Sequence, residues 1–289
     1  MKKSFAKSRW KSVGIYLLLG ILVLFVVFPI FWFMLMSLKT EKDAIAIPPK
    51  FVFAPTLSNY KSVFTGRTAS ATRATTKIDF MKTFLNSVII CSSAVSISLV
   101  IGIPAAYVLA RFRFRGKEDL AFLILTLWFA PGLSISLPLY LMYTTIGLYD
   151  TLLGLIIIYQ VIALPLVIWI LRGYFEDIPL EVEESAKIDG ANLWAILTRI
   201  CLPLAAPGIV TAAVIAFIFC WNNFIFGLIL ASSNSKTLTL GLLGFIGYEK
   251  ILWAQMAAAG MISIIPVIIF AIVIQRHIVR GLSLGAVRN

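Results

Sequence analysis

Six stretches of this sequence contain no Asp, Glu, Lys or Arg: residues 12–38, 83–110, 120–149, 151–171, 200–235 and 251–275. About 20 apolar residues carry a helix across the hydrocarbon core of a bilayer, and the shortest of these runs has 21. In lipid, backbone N–H and C=O groups must be paired within the segment, which leaves the helix as the conformation for such runs. The pattern predicts an all-α, polytopic membrane protein with six transmembrane helices: about Val13–Leu38, Thr83–Ala110, Leu120–Tyr143, Thr151–Leu171, Leu204–Ala231 and Met256–Gln275. Hydrophobic residues at 60% and charged residues at 13% agree. The first run is too long for a cleaved signal peptide and lacks a small-residue cleavage site, so a retained helix is expected.

The net charge of +12 does not indicate a nucleic-acid partner, because the basic residues are spread over tails and loops. Counted by alternate segments, fifteen Lys and Arg fall on the side of the two termini and ten on the other. The positive-inside bias therefore places both termini in the cytoplasm, modestly, since the first external loop is itself basic. Lys2, Lys3, Lys7, Arg9 and Lys11 suit an anionic inner leaflet. Cys91, Cys201 and Cys220 lack metal-ligand or disulfide spacing and read as small apolar fillers. His277 reads as an interfacial residue.

One polar island separates the fourth and fifth runs. Pro179 suits a helix start, and Glu181, Glu183 and Glu184 suit the positive end of the helix dipole. Gly190 is a natural stop, since it accepts the left-handed conformation that ends helices. A second short helix is expected over Leu193–Ile200, running into Pro203 where the membrane is re-entered. Ser185 and Ala186 keep one face small enough to sit deeply in a groove of another protein.

Glu184, Ser185-Ala186, Gly190 and, after nine intervening residues, Ile200-Cys201-Leu202-Pro203 resemble the cytoplasmic coupling loop of ABC importer permeases. That loop reads Glu, two small residues, three of any kind, Gly, nine of any kind, Ile-x-Leu-Pro. Ser185 stands where Ala is commoner. The alternative is an amphipathic hairpin that merely links two helices. Further elements resemble the carbohydrate-type, smaller permease family: Phe53-x-Pro55-Thr56, Asn59-Tyr60, Phe84-Leu85-Asn86-Ser87 and the Gly-rich ending Val279–Asn289. Such tails reach the ATPase in that family; a frayed terminus is the other reading. The segment Thr65–Lys77 looks like an insertion relative to the family, and mobility is expected of it.

The resemblance implies a type I ABC importer permease forming one transmembrane domain, 1–289. Its core would run from about 80 to 278, with an external loop at 39–82, a coupling loop at 172–203 and a cytoplasmic tail at 276–289. It implies a second permease, two ATPase subunits and an external solute-binding protein as partners, in a bacterial inner membrane with both termini cytoplasmic. Glu184, Ser185, Ala186, Asp189, Gly190, Ile200, Leu202 and Pro203 would couple it to the ATPase. The solute class is a sugar or oligosaccharide; a polyol or a glycerol phosphate ester is the alternative.

No Gly-x4-Gly-Lys-Ser/Thr phosphate loop is present, so the chain is not expected to be an enzyme, and ATP would be bound by a partner; no cofactor is expected. The spans carry no ionisable relay of the kind proton-coupled transporters use, which disfavours a secondary transporter. A membrane scaffold without a transport role would tolerate changes at Glu184 and Gly190. The most polar point within a span is Trp221-Asn222-Asn223-Phe224. Two amides in hydrocarbon would cost roughly 1–3 kcal/mol each if unpaired. Aromatic faces and amides also suit sugar C–H faces and hydroxyls, and a Trp-Asn-x-Phe element recurs in helix 5 of sugar-importer permeases. These four residues are candidates for the solute path; the alternative is hydrogen bonding that joins two permease subunits. On a continuous helix the two amides would point ~100° apart, so one would face the cavity and the other a neighbouring helix.

Overall fold

The computed structural model describes residues 2–66, 79–129, 132–247 and 251–285, and among them every regular element is helical. Residues 67–77 of the expected insertion, Pro131, Tyr248 and the last four residues of the tail lie outside the described residues. Among the described residues four helices are long and apolar enough to cross a membrane: Gly14–Ser37, Phe80–Arg111, Leu152–Glu176 and Trp253–Ile272. The other two apolar runs fold as broken segments.

Run 120–149 gives α5 (Lys117–Trp128) and α6 (Ser136–Thr145), separated by a turn through Gly132–Ile135. Pro138 falls in the first turn of α6, where its missing N–H is no loss. Run 200–235 gives α12 (Ala206–Trp221) and α13 (Ile225–Leu230), with the break at residues 222–224. A continuous fifth helix was expected there. The two asparagines explain the break, because their side chains compete for the backbone. Asn222 Nδ2 donates to the Ile218 carbonyl (2.8 Å), and the Phe226 N–H donates to Asn223 Oδ1 (3.1 Å).

Contacts gather the chain into two units, Met1–Phe80 with Gly244–Ser263 and Met81–Leu243 with Ile264–Asn289. In the first, α1 (Lys2–Ser37) exposes apolar side chains all round from Ile15 to Phe28, as befits a helix whose solvent is lipid. It is followed by α2 (Glu41–Ala44) and α3 (Ser58–Thr65). The Asn59-Tyr60 element fastens α3 to the end of α1. Asn59 Nδ2 donates to the carbonyls of Ser37 and Lys39, and the Tyr60 and Ser37 hydroxyls meet at 2.8 Å. Lys39 is buried with its ammonium 4.7 Å from the Trp32 ring and 5.2 Å from that of Phe53, a cation–π arrangement. The Glu41 carboxylate accepts N–H bonds from Ala254 and Gln255 in the first turn of α14 (Trp253–Gly285), where helix-end N–H groups lack intrahelical partners.

The second unit is built on α4 (Phe80–Arg111), α7 (Leu152–Ile158), α8 (Gln160–Glu176) and α12. A Cβ at Gly102 of α4 would lie 2.7 Å from Val167 Cγ1 of α8, so the glycine sets how closely these helices approach. Within this apolar packing, Ser98 donates to Gln160 Oε1 (2.6 Å) and Gln160 Nε2 to the Ala94 carbonyl, leaving the amide satisfied.

Candidate functional site

The polar island forms α9 (Leu180–Ile188), entered through an extended Pro179 and closed at Gly190 with φ +82°. The Gly190 N–H donates to the Lys187 carbonyl and that of Ala191 to the Ala186 carbonyl, the paired bonds of a Schellman ending. Asn192 then caps α10 (Leu193–Ile196) by accepting from the Ala195 N–H (2.8 Å). The expected second helix does not stop at Pro203. It continues through a π turn (Leu197–Cys201) and α11 (Leu202–Leu204), and only then bends by 76° into α12. Pro203 offers no N–H to the turn before it, and the Leu202 N–H reaches back five residues to the Leu197 carbonyl.

Of the proposed coupling residues, Glu184, Ser185, Asp189, Gly190 and Pro203 are exposed, Ile200 and Leu202 half-buried, and Ala186 buried. The Ser185 hydroxyl donates back to the Glu181 carbonyl, which neutralises its polarity within the helix. Beside them stand bare apolar side chains: Ile188 is 86% exposed and Trp194 70%.

Glu183, next to the motif glutamate, is 2% exposed, whereas from sequence it stands only as one of three glutamates favouring the helix dipole. Its carboxylate accepts from Tyr107 Oη (2.7 Å) and Arg111 Nε (2.5 Å), while Arg111 Nη2 donates to the Ile178 carbonyl (2.7 Å). A buried charge is tolerated when paired and hydrogen-bonded in this way. Glu183 and Ala186, three residues apart, form the buried side of α9. That spacing was the available signal.

At the break in the fifth run the four candidate residues separate. Trp221 is 4% exposed, packed edge-on to Phe84 and stacked on Phe217. Asn222 is exposed at the end of α12. Asn223 lines a cavity of about 230 Å³ together with Trp128, Phe219, Phe226, Val161 and Ile162. Phe224 is not part of that wall. Asn223 Oδ1 is used by Phe226, but its amide nitrogen has no hydrogen-bond partner among the described residues. The cavity thus offers ring faces and a free donor, with no charged side chain in its lining.

A second polar cluster lies at the other end of α4. Asp150, at φ +54°, accepts backbone N–H bonds from Ser232, Ser233, Asn234 and Ser235 at 2.8–3.1 Å, and the Ser235 hydroxyl as well. Partial burial would raise its pKa, yet these donors to the charged form hold it below the usual value. From α4, Lys82 Nζ donates to the Ser233 carbonyl and Asn86 Nδ2 to those of Asn234 and Lys236, while Ser87 Oγ accepts from the Leu238 N–H. The Phe84-Leu85-Asn86-Ser87 element is therefore a clamp on the loop after α13. Among the described residues, no group of His, Cys, Asp and Glu is placed to hold a metal ion.

These helices, their lipid-ready surfaces and a capped polar hairpin between two spans define a multi-pass helical membrane protein. Residues 98–284 match the family model for the binding-protein-dependent transport system inner membrane component. A probable ABC transporter permease protein, y4oR, of Sinorhizobium fredii is 36% identical over 90% of this chain and 90% of its own length. The trehalose transport system permease protein SugB of Mycobacterium tuberculosis is 36% identical over 90% of this chain and 92% of its own. The structure also resembles a crystal structure of a bacterial ABC transporter involved in import of the acidic polysaccharide alginate. The TM-score is 0.72 at 26% identity, covering 93% of this chain and 96% of that one. The chain belongs to the family of binding-protein-dependent transport system inner membrane components. It is a membrane-spanning permease subunit of an ABC importer, not the subunit that hydrolyses ATP.

Proposed function

We propose that this chain works as one transmembrane permease domain, paired with a second permease, two ATPase subunits and an external solute-binding protein, and that it imports a sugar or oligosaccharide by alternating access. Both termini and the α9–α10 hairpin lie in the cytoplasm, and the 39–82 loop lies outside. Glu184, Ser185, Ala186, Asp189, Gly190, Ile200, Leu202 and Pro203 form the coupling segment. The observation that carries this reading is the exposed apolar surface of the hairpin. Ile188 and Trp194 stand 86% and 70% exposed beside a tightly terminated acidic helix, and such side chains on a polar loop mark a partner's docking site.

The cavity at Asn223 supports a neutral, hydroxyl-bearing solute. Trp128, Phe219 and Phe226 supply ring faces and Asn223 a free donor, whereas no Lys or Arg lines the wall to neutralise a phosphate ester. The relative named for trehalose transport agrees with a sugar. The test is Glu184→Lys and Gly190→Pro, with uptake and ATPase association measured on matched amounts of protein. Both variants are expected to insert but to lose transport and ATPase association. Near-normal transport in both would refute the coupling assignment.

A further inference from the structure

Helix α4 is polar-bonded at both of its ends and once near its middle. Its 32 residues run about 48 Å at ~1.5 Å rise per residue, and Pro104 removes one internal N–H bond without interrupting the helix. At one end Tyr107 and Arg111 hold Glu183 on the buried side of α9. At the other, Lys82, Asn86 and Ser87 hold the backbone of residues 233–238. That same loop is gathered around the Asp150 carboxylate. Midway, Ser98 bonds Gln160 of α8, and α8 leads within four residues into α9.

We propose that α4 is a strut that ties the position of α9 to the loop Ala231–Lys236 at the opposite end of the spans, with Arg111–Glu183 and Asn86 as its two joints. The reasoning is mechanical. An α-helix is stiff along its axis, and each joint replaces sliding apolar contact by directional hydrogen bonds. Glu183 cannot leave Arg111 without stranding a buried charge, so a shift of α9 moves the end of α4. Asn86 donates to two carbonyls of one loop, so the far end carries that loop with it. Arg111, Glu183, Tyr107, Asn86 and Ser87 are thus positioning residues, with their polar groups bonded within the chain. Coupling is reciprocal, so the same strut reports the state of the far loop back to α9.

This inference rests on the transporter reading above, and its test is built to separate the two. The transporter would be assembled from this chain and its partner subunits in liposomes, and ATP hydrolysis measured with and without solute-loaded binding protein. Glu183→Gln and Asn86→Ala are each expected to retain the ATPase subunits while solute-dependent stimulation falls about five-fold or more, the scale of an allosteric coupling. Their combination is expected to fall no further than the worse single variant, because both cut one connection. A merely structural role would lower the amount of complex without changing the stimulation ratio. If Glu183→Gln is not recovered, Tyr107→Phe takes its place, and Ser87→Ala replaces Asn86→Ala likewise. Stimulation within about two-fold of the unsubstituted transporter, or losses that multiply in the double variant, would overturn the strut. Failure of the unsubstituted chain to retain ATPase subunits would instead overturn the transporter reading.

Discussion

The ring of Tyr174 on α8 lies flat against the backbone of Gly208 on α12, so closely that a Cβ at Gly208 would be 2.3 Å from Tyr174 Cγ. The helix that precedes the coupling hairpin and the helix that follows it meet here through a bare glycine. Gly208→Ala forces the ring or the helix to move, and overpacking of this kind costs typically ~1–3 kcal/mol. Gly173, one residue before Tyr174, has nothing within 4 Å of its Cβ position, so Gly173→Ala is expected to be neutral or to stabilise by up to about 1 kcal/mol. Thermal unfolding of the purified protein in detergent checks the pair. Equal midpoints for the two variants would show that this contact yields freely.

The Asp150 clamp predicts a pH dependence of fixed sign. Its carboxyl pKa is lowered in the folded state by the N–H donors of residues 232–235, which outweigh the effect of burial. A depressed folded pKa contributes stability above the unfolded value of ~3.9, and that stability is lost as pH falls through the folded value. Backbone amides 232–235 should therefore stay protected from hydrogen exchange between neutral pH and about pH 5, and lose protection below about pH 4. Asn at this position keeps one acceptor and no charge. Asp150→Asn should thus cut protection at neutral pH roughly ten-fold, the equivalent of one lost charge-assisted bond of ~1.5 kcal/mol. Protection independent of both pH and the substitution would show that the loop is held by other contacts.

What could be read from sequence was what depends on near neighbours. Gly190 as the stop of α9 follows from its freedom to take φ +82°, and a second helix starting at Leu193 was expected where α10 begins, although its cap, Asn192, was not named. The apolar runs announced a helical membrane protein because lipid permits little else. The burial of Glu183 was missed because consecutive glutamates differ by about 100° around a helix, and which one is buried depends on Arg111, 72 residues away. Asp150 was not singled out, since its partners lie 82–85 residues further on. The break at 222–224 did carry a local signal in its paired asparagines, but the charge-free run around them concealed it.

Orientation is open to a direct chemical test. Val52 is 93% exposed and Ile188 86% exposed, and the three native cysteines are buried and replaceable. Single cysteines at these two positions, in a chain lacking the native three, would be treated with a membrane-impermeant thiol reagent in cells whose inner membrane is intact. Val52→Cys should react and Ile188→Cys should react only after the membrane is opened. The reverse pattern would invert the topology and remove the hairpin from reach of a cytoplasmic ATPase.

The cavity at the end of α12 makes the two adjacent amides distinguishable. Asn222 Nδ2 is spent on its own helix, at the Ile218 carbonyl, and the residue does not line the cavity, so Asn222→Ala should change uptake by less than about two-fold, below the ~0.5–1.5 kcal/mol of a net hydrogen bond. Asn223 lines the cavity with its amide nitrogen unpaired and its oxygen capping α13. Asn223→Asp preserves the capping oxygen but puts an acceptor in place of the donor, facing solute hydroxyls without a charge partner in the wall. Uptake is expected to fall about ten-fold or more, in line with the ~1.5–3 kcal/mol at stake when a hydrogen bond to a charged group is lost or mismatched. The amount of assembled complex should not change, because the cap survives. Uptake and competition between sugars, measured at matched complex levels, decide the matter. If Asn223→Asp transports at the unsubstituted rate with unchanged preference, recognition does not occur at this cavity, and it rests with the binding protein and the partner permease.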